Sequence, residues 1–548
     1  MKNTTYSTIG IYTFLFLYFL IGLSIFQDFG IGIEEHFQRK SGFYWLNQIL
    51  NFTNFDNLKI AASNRYDSIM QIPNLVDIES HLNYGILFDL PAAFIETLFD
   101  LKDDQIFKMR HLINFSIFFI SGIFFYKILD QRYKQKIITI IGLAIYLLLP
   151  KSFGSSFFDS KDLFFLSIIT ISFYFYVKFE GRRNMKYLCL FALFSAFSIS
   201  SRIFGLILPI SFLIIEFLNY FEKKSYIEIK YIFYYLIFLT FFSFLHWPYL
   251  WIAINDLSNL IENFVVRTDT KVYFEGIYIN SKNLPYNYIP KLIFLGTPIF
   301  VTLFFLLGIL ISYQKIFKNF INIEKNNDKK LWIDSSEKID LFLVINFSII
   351  VIHYFTSNPN LYGGWRHYIF LNFFISYFSF YGINYTLTYF RNIKTKFNFL
   401  NIAYSFLILC FFHLIYNLIL YHPYQSYFFN ELINNRTKKN YEIDTQSLSR
   451  VDALKIIEED SKNLNVVRIA TASWTPLEDA KFQIDKDSRK RLIFLGTSNK
   501  EDASYIYSNH FYEVDININS KYKIPKNFSV YKELIIDGSK IYTIYKKN

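Results

Sequence analysis

Residues 7–27 read STIGIYTFLFLYFLIGLSIFQ, and residues 28–37 continue with DFGIGIEEHF. The first stretch contains no charged side chain, whereas the second contains three carboxylates and a histidine. A helix that crosses the hydrocarbon core of a bilayer needs about 20 mainly apolar residues. No small-residue cleavage site follows the apolar stretch, so we expect the helix to be retained. The sequence therefore predicts a membrane-spanning helix that ends at an acidic loop.

The composition of the whole chain agrees with a membrane protein. Among 548 residues, 53% are hydrophobic and 18% are charged, and the mean hydropathy is +0.23. These values exclude an ordinary soluble protein. The net charge of +11 comes from Lys and Arg in short loops, where membrane topology explains it, and we expect no nucleic-acid partner. Cys189 and Cys410 lie in apolar segments, so neither a disulfide framework nor a thiolate metal site is indicated.

Eleven segments have the length and hydrophobicity of membrane-spanning helices. They are residues 7–27, 111–128, 136–150, 162–178, 186–200, 203–220, 229–247, 290–313, 339–356, 367–389 and 398–420. If the N-terminus is cytoplasmic, every cytoplasmic loop is basic, as the positive-inside rule requires. The opposite side then receives the loops 28–110 and 248–289 and everything after residue 420. The predicted fold class is a polytopic α-helical membrane protein.

Two regions outside the spans have recognisable patterns. Residues 84–99 are too short and too charged to span, and they predict an amphipathic helix at the interface. After residue 421 the composition becomes that of a soluble domain. We predict a polar helix at 447–463, strands at 466–470, 491–495 and 504–507, and a hairpin that turns at Asp537-Gly538. The predicted domains are therefore a membrane domain, 1–432, and a small α/β domain, 433–548.

Four side chains of the acidic loop are candidates for chemistry. Glu34 and Glu35 are adjacent, with Asp28 and His36 nearby. Neighbouring carboxylates can have their pKa values pushed apart, so that one acts as general base and the other as an acid or orienting group. A solvated acidic loop without chemistry is the alternative. A divalent metal at Asp28, Glu34 and Glu35 is a further option, but no histidine spacing supports it and no cofactor is firmly predicted.

Charged residues also collect in later loops on the same predicted side. Asp159 and Lys161 can orient a polar substrate, whereas the neighbouring Ser160 and Asp162 have the types that cap a helix. Arg202 lies between two short spans, where a charge usually has a partner. Contact with a phosphate explains it, and snorkelling to the interface is the alternative.

A glycine-rich turn precedes the tenth predicted span. Gly363-Gly364-Trp365-Arg366-His367 combines two glycines, which allow close backbone approach, with an arginine that can grip a phosphate through two parallel hydrogen bonds. An interfacial anchor of Trp and Arg is the alternative. Tyr273 belongs to the loop 248–289, and we expect that segment to cover a substrate cleft.

Several stretches follow one another in an order that resembles a known family. Glu34-Glu35-His36-Phe37 resembles the Asp-Glu-x-His-Phe type motif of the GT-C glycosyltransferases, especially family 39, the protein O-mannosyltransferase and aminoarabinose transferase branch. Further similar stretches are YGILFDLP at 84–91, SFFDSKD at 156–162, SRIFG at 201–205, HWPYLW at 246–251, LPYNYIP at 284–290, YGGWRHYIF at 362–370 and HPYQSYFFNEL at 422–432. The first acidic position is usually Asp in the family and is Glu34 here.

The resemblance implies a GT-C fold in the bacterial inner membrane, with the active site and the C-terminal domain in the periplasm. It implies transfer of a sugar from a polyprenyl-phosphate-linked donor to an acceptor hydroxyl, with inversion. Glu34 or Glu35 would deprotonate the acceptor, while Arg366, with His367 and Arg202, would hold the lipid phosphate. The sugar and the acceptor are left open.

Two other classes of function remain as alternatives. A transporter or flippase of a lipid-linked sugar would explain the spans and the intramembrane arginine. Such a protein should show internal repeats and broken helices in both halves, and the sequence contains no repeat. A non-catalytic scaffold or sensor would use the soluble domain and leave the acidic loop without a role. The glycosyltransferase is the predicted function.

Overall fold

The computed structural model describes residues 2–72, 82–223, 227–252, 269–325, 335–393 and 398–548. Parts of the predicted loops 28–110 and 248–289 lie outside these residues. The helices are α1 Lys2–Ile25, α2 Glu35–Leu50, α3 Asp56–Met70, α4 Asp89–Leu98, α5 Asp103–Tyr133, α6 Lys136–Leu148, α7 Pro150–Phe158, α8 Asp162–Arg182, α9 Met185–Ser201, α10 Ile207–Lys223, α11 Ile227–His246, α12 Tyr249–Ile252, α13 Tyr288–Leu295, α14 Ile299–Lys325, α15 Ser335–Ser357, α16 Leu371–Asn392, α17 Phe399–Leu420, α18 Asn435–Lys438, α19 Ser449–Asp460 and α20 Lys486–Arg489. The strands are β1 Lys271–Phe274, β2 Ile277–Asn280, β3 Val467–Thr471, β4 Leu492–Gly496, β5 Tyr505–Ser508, β6 Phe528–Ile536 and β7 Ser539–Lys547.

Ten of the predicted spans each overlap one main helix, and the predicted span 290–313 is divided between α13 and α14. Fewer helices are long and apolar enough to cross a membrane. Within the described residues eight meet that requirement, and a ninth span results if α6 and α7, which meet at an angle of 55°, count as one. Helix α9 has only 17 residues. Helix α16 is buried along most of its length, so packing shields polar side chains such as Asn372 and Ser376. The predicted class, a polytopic helical membrane protein with a small C-terminal α/β domain, is confirmed, whereas the count of eleven is not.

Residues 84–99 contain α4, which has ten residues and is about 15 Å long. That length is too short to cross a bilayer. The helix packs against α2, where Arg39 Nη2 and Glu96 Oε1 lie 2.6 Å apart in a buried ion pair. Phe94 and Leu98 are exposed on the opposite face. The helix therefore has a buried face and an exposed apolar face, and its location at the membrane interface stays a prediction.

The C-terminal domain contains a five-stranded sheet in the order β4-β3-β5-β7-β6. Strand β3 pairs in parallel with β4 and β5, and β7 pairs antiparallel with β5 and β6. Helix α19 packs against β7, with Leu454 and Ile457 fully buried. The last hairpin turns at Asp537 and Gly538, whose φ angles of 46° and 72° are typical of a type I′ turn. The predicted helix, strands and hairpin of this domain are confirmed.

The C-terminal domain contacts the acidic loop directly. The Ile33 N–H donates to the Gln446 carbonyl at 3.0 Å, and Arg450 Nη2 donates to the Ile31 carbonyl at 3.0 Å. At Gly30 the approach is so close that a Cβ atom would lie 2.1 Å from the Leu448 carbonyl oxygen. The acidic loop is therefore held by contacts with the C-terminal domain as well as by its covalent connection to α1.

Strands β1 and β2 form a hairpin that was not predicted, in the segment expected to cover a cleft. Each strand has four residues, which is too few for a clear alternation of polar and apolar side chains. The turn lies at Glu275 and Gly276, whose φ angles are 55° and 85°. This segment is thus an ordered hairpin in the described part of the loop.

Candidate functional site

Glu34 and Arg366 form an ion pair at one end of the helical bundle. Glu34 directly precedes α2, and Arg366 begins a 3-10 turn after Gly363 and Gly364, whose φ angles of 67° and 70° favour glycine. Arg366 Nη2 donates to Glu34 Oε1. The Glu34 side chain is 27% exposed, whereas Arg366 is buried. The pair therefore presents a carboxylate that a ligand can reach.

Glu35 points away from this pair and into the protein. Its Oε2 accepts the Gly32 N–H at 2.7 Å and lies 3.1 Å from His111 Nε2. Successive side chains at the start of a helix point about 100° apart, so two adjacent glutamates enter different surroundings. Glu35 holds the acidic loop in its fold, and Glu34 is the carboxylate that faces Arg366.

The other two candidates of the acidic loop lie elsewhere. Asp28 is exposed, and its Oδ2 lies 2.9 Å from His422 Nε2. His36 is buried, with Nε2 2.7 Å from the Asp479 carbonyl oxygen in the C-terminal domain. Burial lowers the pKa of His36 to about 3, so the neutral ring donates its N–H to that carbonyl. Neither side chain reaches the Glu34–Arg366 pair.

The three carboxylates proposed for a metal do not converge on one point. Asp28, Glu34 and Glu35 each have a different partner. In the part of the chain that the structure describes, no three His, Cys, Asp or Glu side chains are arranged to hold a metal ion. The geometry therefore does not support a divalent ion at the acidic loop.

Asp159, on the loop between α7 and α8, is close enough to Glu34 for the charge of Glu34 to affect its pKa. Asp159 Oδ1 accepts the Asp162 N–H at 2.9 Å. The side chain of Asp162 does not cap α8 and instead pairs with Arg202, at the end of α9. Burial, reinforced by the charge of Asp162, raises the pKa of Asp159 from 3.8 to about 7. The fold therefore favours the protonated form of Asp159 more than water does.

Lys161 and Arg202 share the ring of Tyr84. The Nζ atom of Lys161 lies 3.3 Å from the ring centre, and Cζ of Arg202 lies 5.8 Å from it. Burial lowers the pKa of Lys161. The aromatic ring thus stabilises two cations that would otherwise repel each other.

Charged side chains from four separate parts of the chain meet here, and we call them the charged cluster. Its members are the carboxylates Glu34, Asp159 and Asp162 and the cations Lys151, Lys161, Arg202 and Arg366. Lys151 lies 5.2 Å from the ring centre of Trp365. Among the described residues, the buried Nε atoms of Arg202 and Arg366 have no hydrogen-bond partner. Because a buried donor without an acceptor is costly, the cluster is suited to an anion that brings free oxygens.

A small cavity of about 40 Å³ opens beside Lys161. Its lining includes the aromatic side chains Phe37, Tyr84, Phe88 and Phe164 and the carboxylate of Asp89. Asp89 pairs with Arg110 at 2.5 Å. At about 40 Å³ this cavity is far smaller than a typical ligand site, so it shows only that aromatic side chains lie next to the charged cluster.

The remaining predicted residues are His367 and Tyr273. His367 adjoins the charged cluster, with its ring edge-on to Tyr362 at 5.1 Å between centres. Tyr273 lies in β1, and its N–H donates to Glu442 Oε1 at 2.8 Å in a separate cleft. The structure therefore brings together five predicted residues, Glu34, Asp159, Lys161, Arg202 and Arg366, with His367 beside them.

Comparison with known proteins gives fold similarity alone. No protein-family model matches the chain, and no curated protein sequence matches it. ArnT from Cupriavidus metallidurans bound to undecaprenyl phosphate is similar with a TM-score of 0.45 and 8% identity, over 97% of this chain and 98% of that chain. The apo oligosaccharyltransferase of Archaeoglobus fulgidus is similar with a TM-score of 0.47 and 11% identity, over 90% of this chain and 65% of that chain. TM-scores below 0.5 carry no functional argument, so the function is inferred from the charged cluster.

Proposed function

We propose that the protein is a multi-pass glycosyltransferase of the bacterial inner membrane with a GT-C fold. It transfers a sugar from a polyprenyl-phosphate-linked donor to an acceptor hydroxyl on the periplasmic face, with inversion. The observation that carries the proposal is the Glu34–Arg366 pair, in which a reachable carboxylate lies beside a buried guanidinium with a free N–H. The ordered stretches that resemble family 39 support the same function.

The donor phosphate binds to Arg366 and Arg202. A phosphodiester has two non-bridging oxygens that share one negative charge, and each arginine has an unpaired Nε–H among the described contacts. A phosphate bound through two parallel hydrogen bonds needs Nη2 of Arg366 as well as Nε, and therefore competes with Glu34, which occupies Nη2. Donor binding therefore releases the Glu34 carboxylate from its ion pair.

Glu34 then accepts the proton of the acceptor hydroxyl as a general base. The acceptor oxygen forms a bond to the anomeric carbon on the face opposite the phosphate, and the bond from that carbon to the phosphate oxygen breaks. The electron pair leaves with the polyprenyl phosphate, whose growing charge the two arginines stabilise. Attack opposite the leaving group inverts the configuration of the sugar.

Transfer assays in proteoliposomes test this mechanism. With radiolabelled polyprenyl-phosphate sugars as donor and an envelope extract as acceptor, Glu34→Gln should lower turnover about 10²- to 10⁴-fold, the usual contribution of a general base. Asp56→Asn is the matched control, because it removes an exposed carboxylate at the start of α3. Wild-type turnover in Glu34→Gln would show that another group takes the proton.

The same assay separates a transferase from a transporter of the donor. A transferase releases free polyprenyl phosphate, whereas a transporter leaves the bond between sugar and phosphate intact. Movement of labelled donor across the bilayer without release of polyprenyl phosphate would contradict the proposed function.

A further inference from the structure

A cavity of about 730 Å³ lies between the β1–β2 hairpin and the C-terminal sheet, and we call it the hairpin cleft. Gly276 N–H donates to the Asn440 carbonyl at 3.1 Å, and Phe274 pairs with Tyr441 in an isolated antiparallel bridge. Residues of β6 and β7 line the opposite side. Sites for small ligands in proteins typically have about 300–1,000 Å³, so the cleft has the volume of a binding site.

Tyrosine is the most frequent residue type in the lining of the hairpin cleft. Tyr273, Tyr278 and Tyr512 are each half-buried, so part of each side chain is open to the cleft. The ring centres of Tyr273 and Tyr278 are 4.9 Å apart. Of the described residues that line the cleft, three are aliphatic. A ligand with small apolar faces between hydroxyl groups therefore finds aromatic rings and polar tips together.

The charges of the hairpin cleft balance near neutral pH. The titratable side chains that line it, apart from its tyrosines, are Lys439, Glu442, His510, Asp515, Glu533 and Lys540. Lys540 pairs with Glu533. Burial raises the pKa of Glu442 to about 8 and lowers that of His510 to about 4, so both are mainly neutral at pH 7. Two cations then face two carboxylates, which disfavours a strongly charged ligand.

We infer that the hairpin cleft binds a short neutral saccharide. Sugar rings present C–H faces that pack on tyrosine rings and hydroxyl groups that hydrogen-bond to carboxyl and amide groups. The hairpin also connects to the glycine-rich turn that precedes Arg366, because Tyr288 packs against Phe274 with 5.0 Å between ring centres and hydrogen-bonds to the backbone of Gly364. The saccharide is assigned as part of the acceptor, and that assignment rests on the proposed function.

Saturation-transfer NMR on the purified full-length protein in nanodiscs tests saccharide binding. The probes are maltotriose and triacetylchitotriose, two neutral trisaccharides, with trigalacturonate as the charged comparison. The wild type should transfer saturation to at least one neutral probe and less to trigalacturonate. The absence of transfer to both neutral probes would overturn the inference.

Two substitutions on the same strand provide a matched pair. Ile535 lines the hairpin cleft and is 52% exposed, whereas Val530 is 58% exposed and lies outside it. Ile535→Arg should reduce the saturation signal at least three-fold, and Val530→Arg should leave it unchanged, with equal unfolding temperatures as the check on folding. Equal signals in both variants would overturn the inference.

The catalytic variant separates the two proposals. Glu34→Gln should bind the trisaccharide as the wild type does, because Glu34 does not line the hairpin cleft. Normal transfer activity with no saccharide binding would overturn the cleft alone. Saccharide binding together with wild-type turnover in Glu34→Gln would overturn the catalytic assignment alone.

Discussion

Replacing Glu34 by Gln should tighten the binding of polyprenyl phosphate even though it removes the general base. In the structure Glu34 accepts from Arg366 Nη2, so a phosphate that binds Nε and Nη2 through two parallel hydrogen bonds must displace that carboxylate from Nη2. Glutamine keeps the size of the side chain but carries no charge. The guanidinium of Arg366 is then available to the phosphate without competition.

The size of the expected increase in affinity for polyprenyl phosphate depends on how exposed the Glu34–Arg366 pair is. The Arg366 side chain is 6% exposed and that of Glu34 is 27% exposed, so solvent screens the ion pair in part. Exposed pairs contribute up to about 1 kcal/mol, and removal of one partner of a fully buried pair costs about 3–5 kcal/mol. A value of about 0.5–1.4 kcal/mol is reasonable for this geometry, which corresponds to a dissociation constant about two to ten times lower.

Fluorescence anisotropy of a dye-labelled polyprenyl phosphate, titrated with the protein in nanodiscs, measures this change. Arg366→Gln should weaken binding, because it removes the guanidinium itself. When Glu34→Gln is added to Arg366→Gln, it should no longer tighten the binding of polyprenyl phosphate, because the competing ion pair is already absent. Weaker binding in Glu34→Gln, or a gain that persists without Arg366, would refute the competition.

Three other changes test the surroundings of the pair. Arg450→Met removes the N–H groups that donate to three backbone carbonyls, one of them that of Ile31 in the acidic loop. The unfolding temperature and kcat should therefore fall together. An unchanged kcat would show that this contact does not position the acidic loop. The pKa of Asp159 is raised to about 7 in the fold, so ionisation of this side chain lowers the stability of the protein as the pH rises from about 4 to 7. Asp159→Asn should therefore raise the unfolding temperature more at pH 8 than at pH 5. An equal rise at both pH values would contradict this. Glu35→Ala leaves the Gly32 N–H without its acceptor, which should lower the free energy of unfolding by about 1–3 kcal/mol in denaturant titrations, whereas no loss would contradict the structural role of Glu35.

The sequence could predict the elements of the fold because their signals are local. Helix length, apolar runs and the Asp537-Gly538 turn lie within a few consecutive residues, and the helices and the C-terminal strands follow them. The number of spans was harder to predict. Helix α16 is long, but its polar residues are shielded by packing against other helices, and no local sequence pattern shows that burial.

The sequence could predict which residues belong to the candidate site, but not which partner each of them contacts. Adjacent glutamates look alike in the sequence, and the difference between Glu34 and Glu35 depends on His111, which lies 76 residues further along the chain. The predictions missed Lys151 and Tyr84 as members and neighbours of the charged cluster. Lys151 directly follows Pro150 at the end of the predicted span 136–150, on the same predicted side as Asp159 and Lys161, and that position was a signal that could have found it.

The position of the acidic loop depends on both the helical bundle and the C-terminal domain. Its backbone enters from α1, and its Ile31 carbonyl and Ile33 N–H are bound by Arg450 and Gln446 of the C-terminal region. Arg366, the partner of Glu34, comes from a glycine-rich turn in the second half of the helical bundle. Because the proposed base and the proposed phosphate ligand are held by different parts of the chain, a shift of the sheet domain against the bundle changes their separation. The sheet domain is thus a positioning element for the proposed reaction, in addition to a wall of the hairpin cleft.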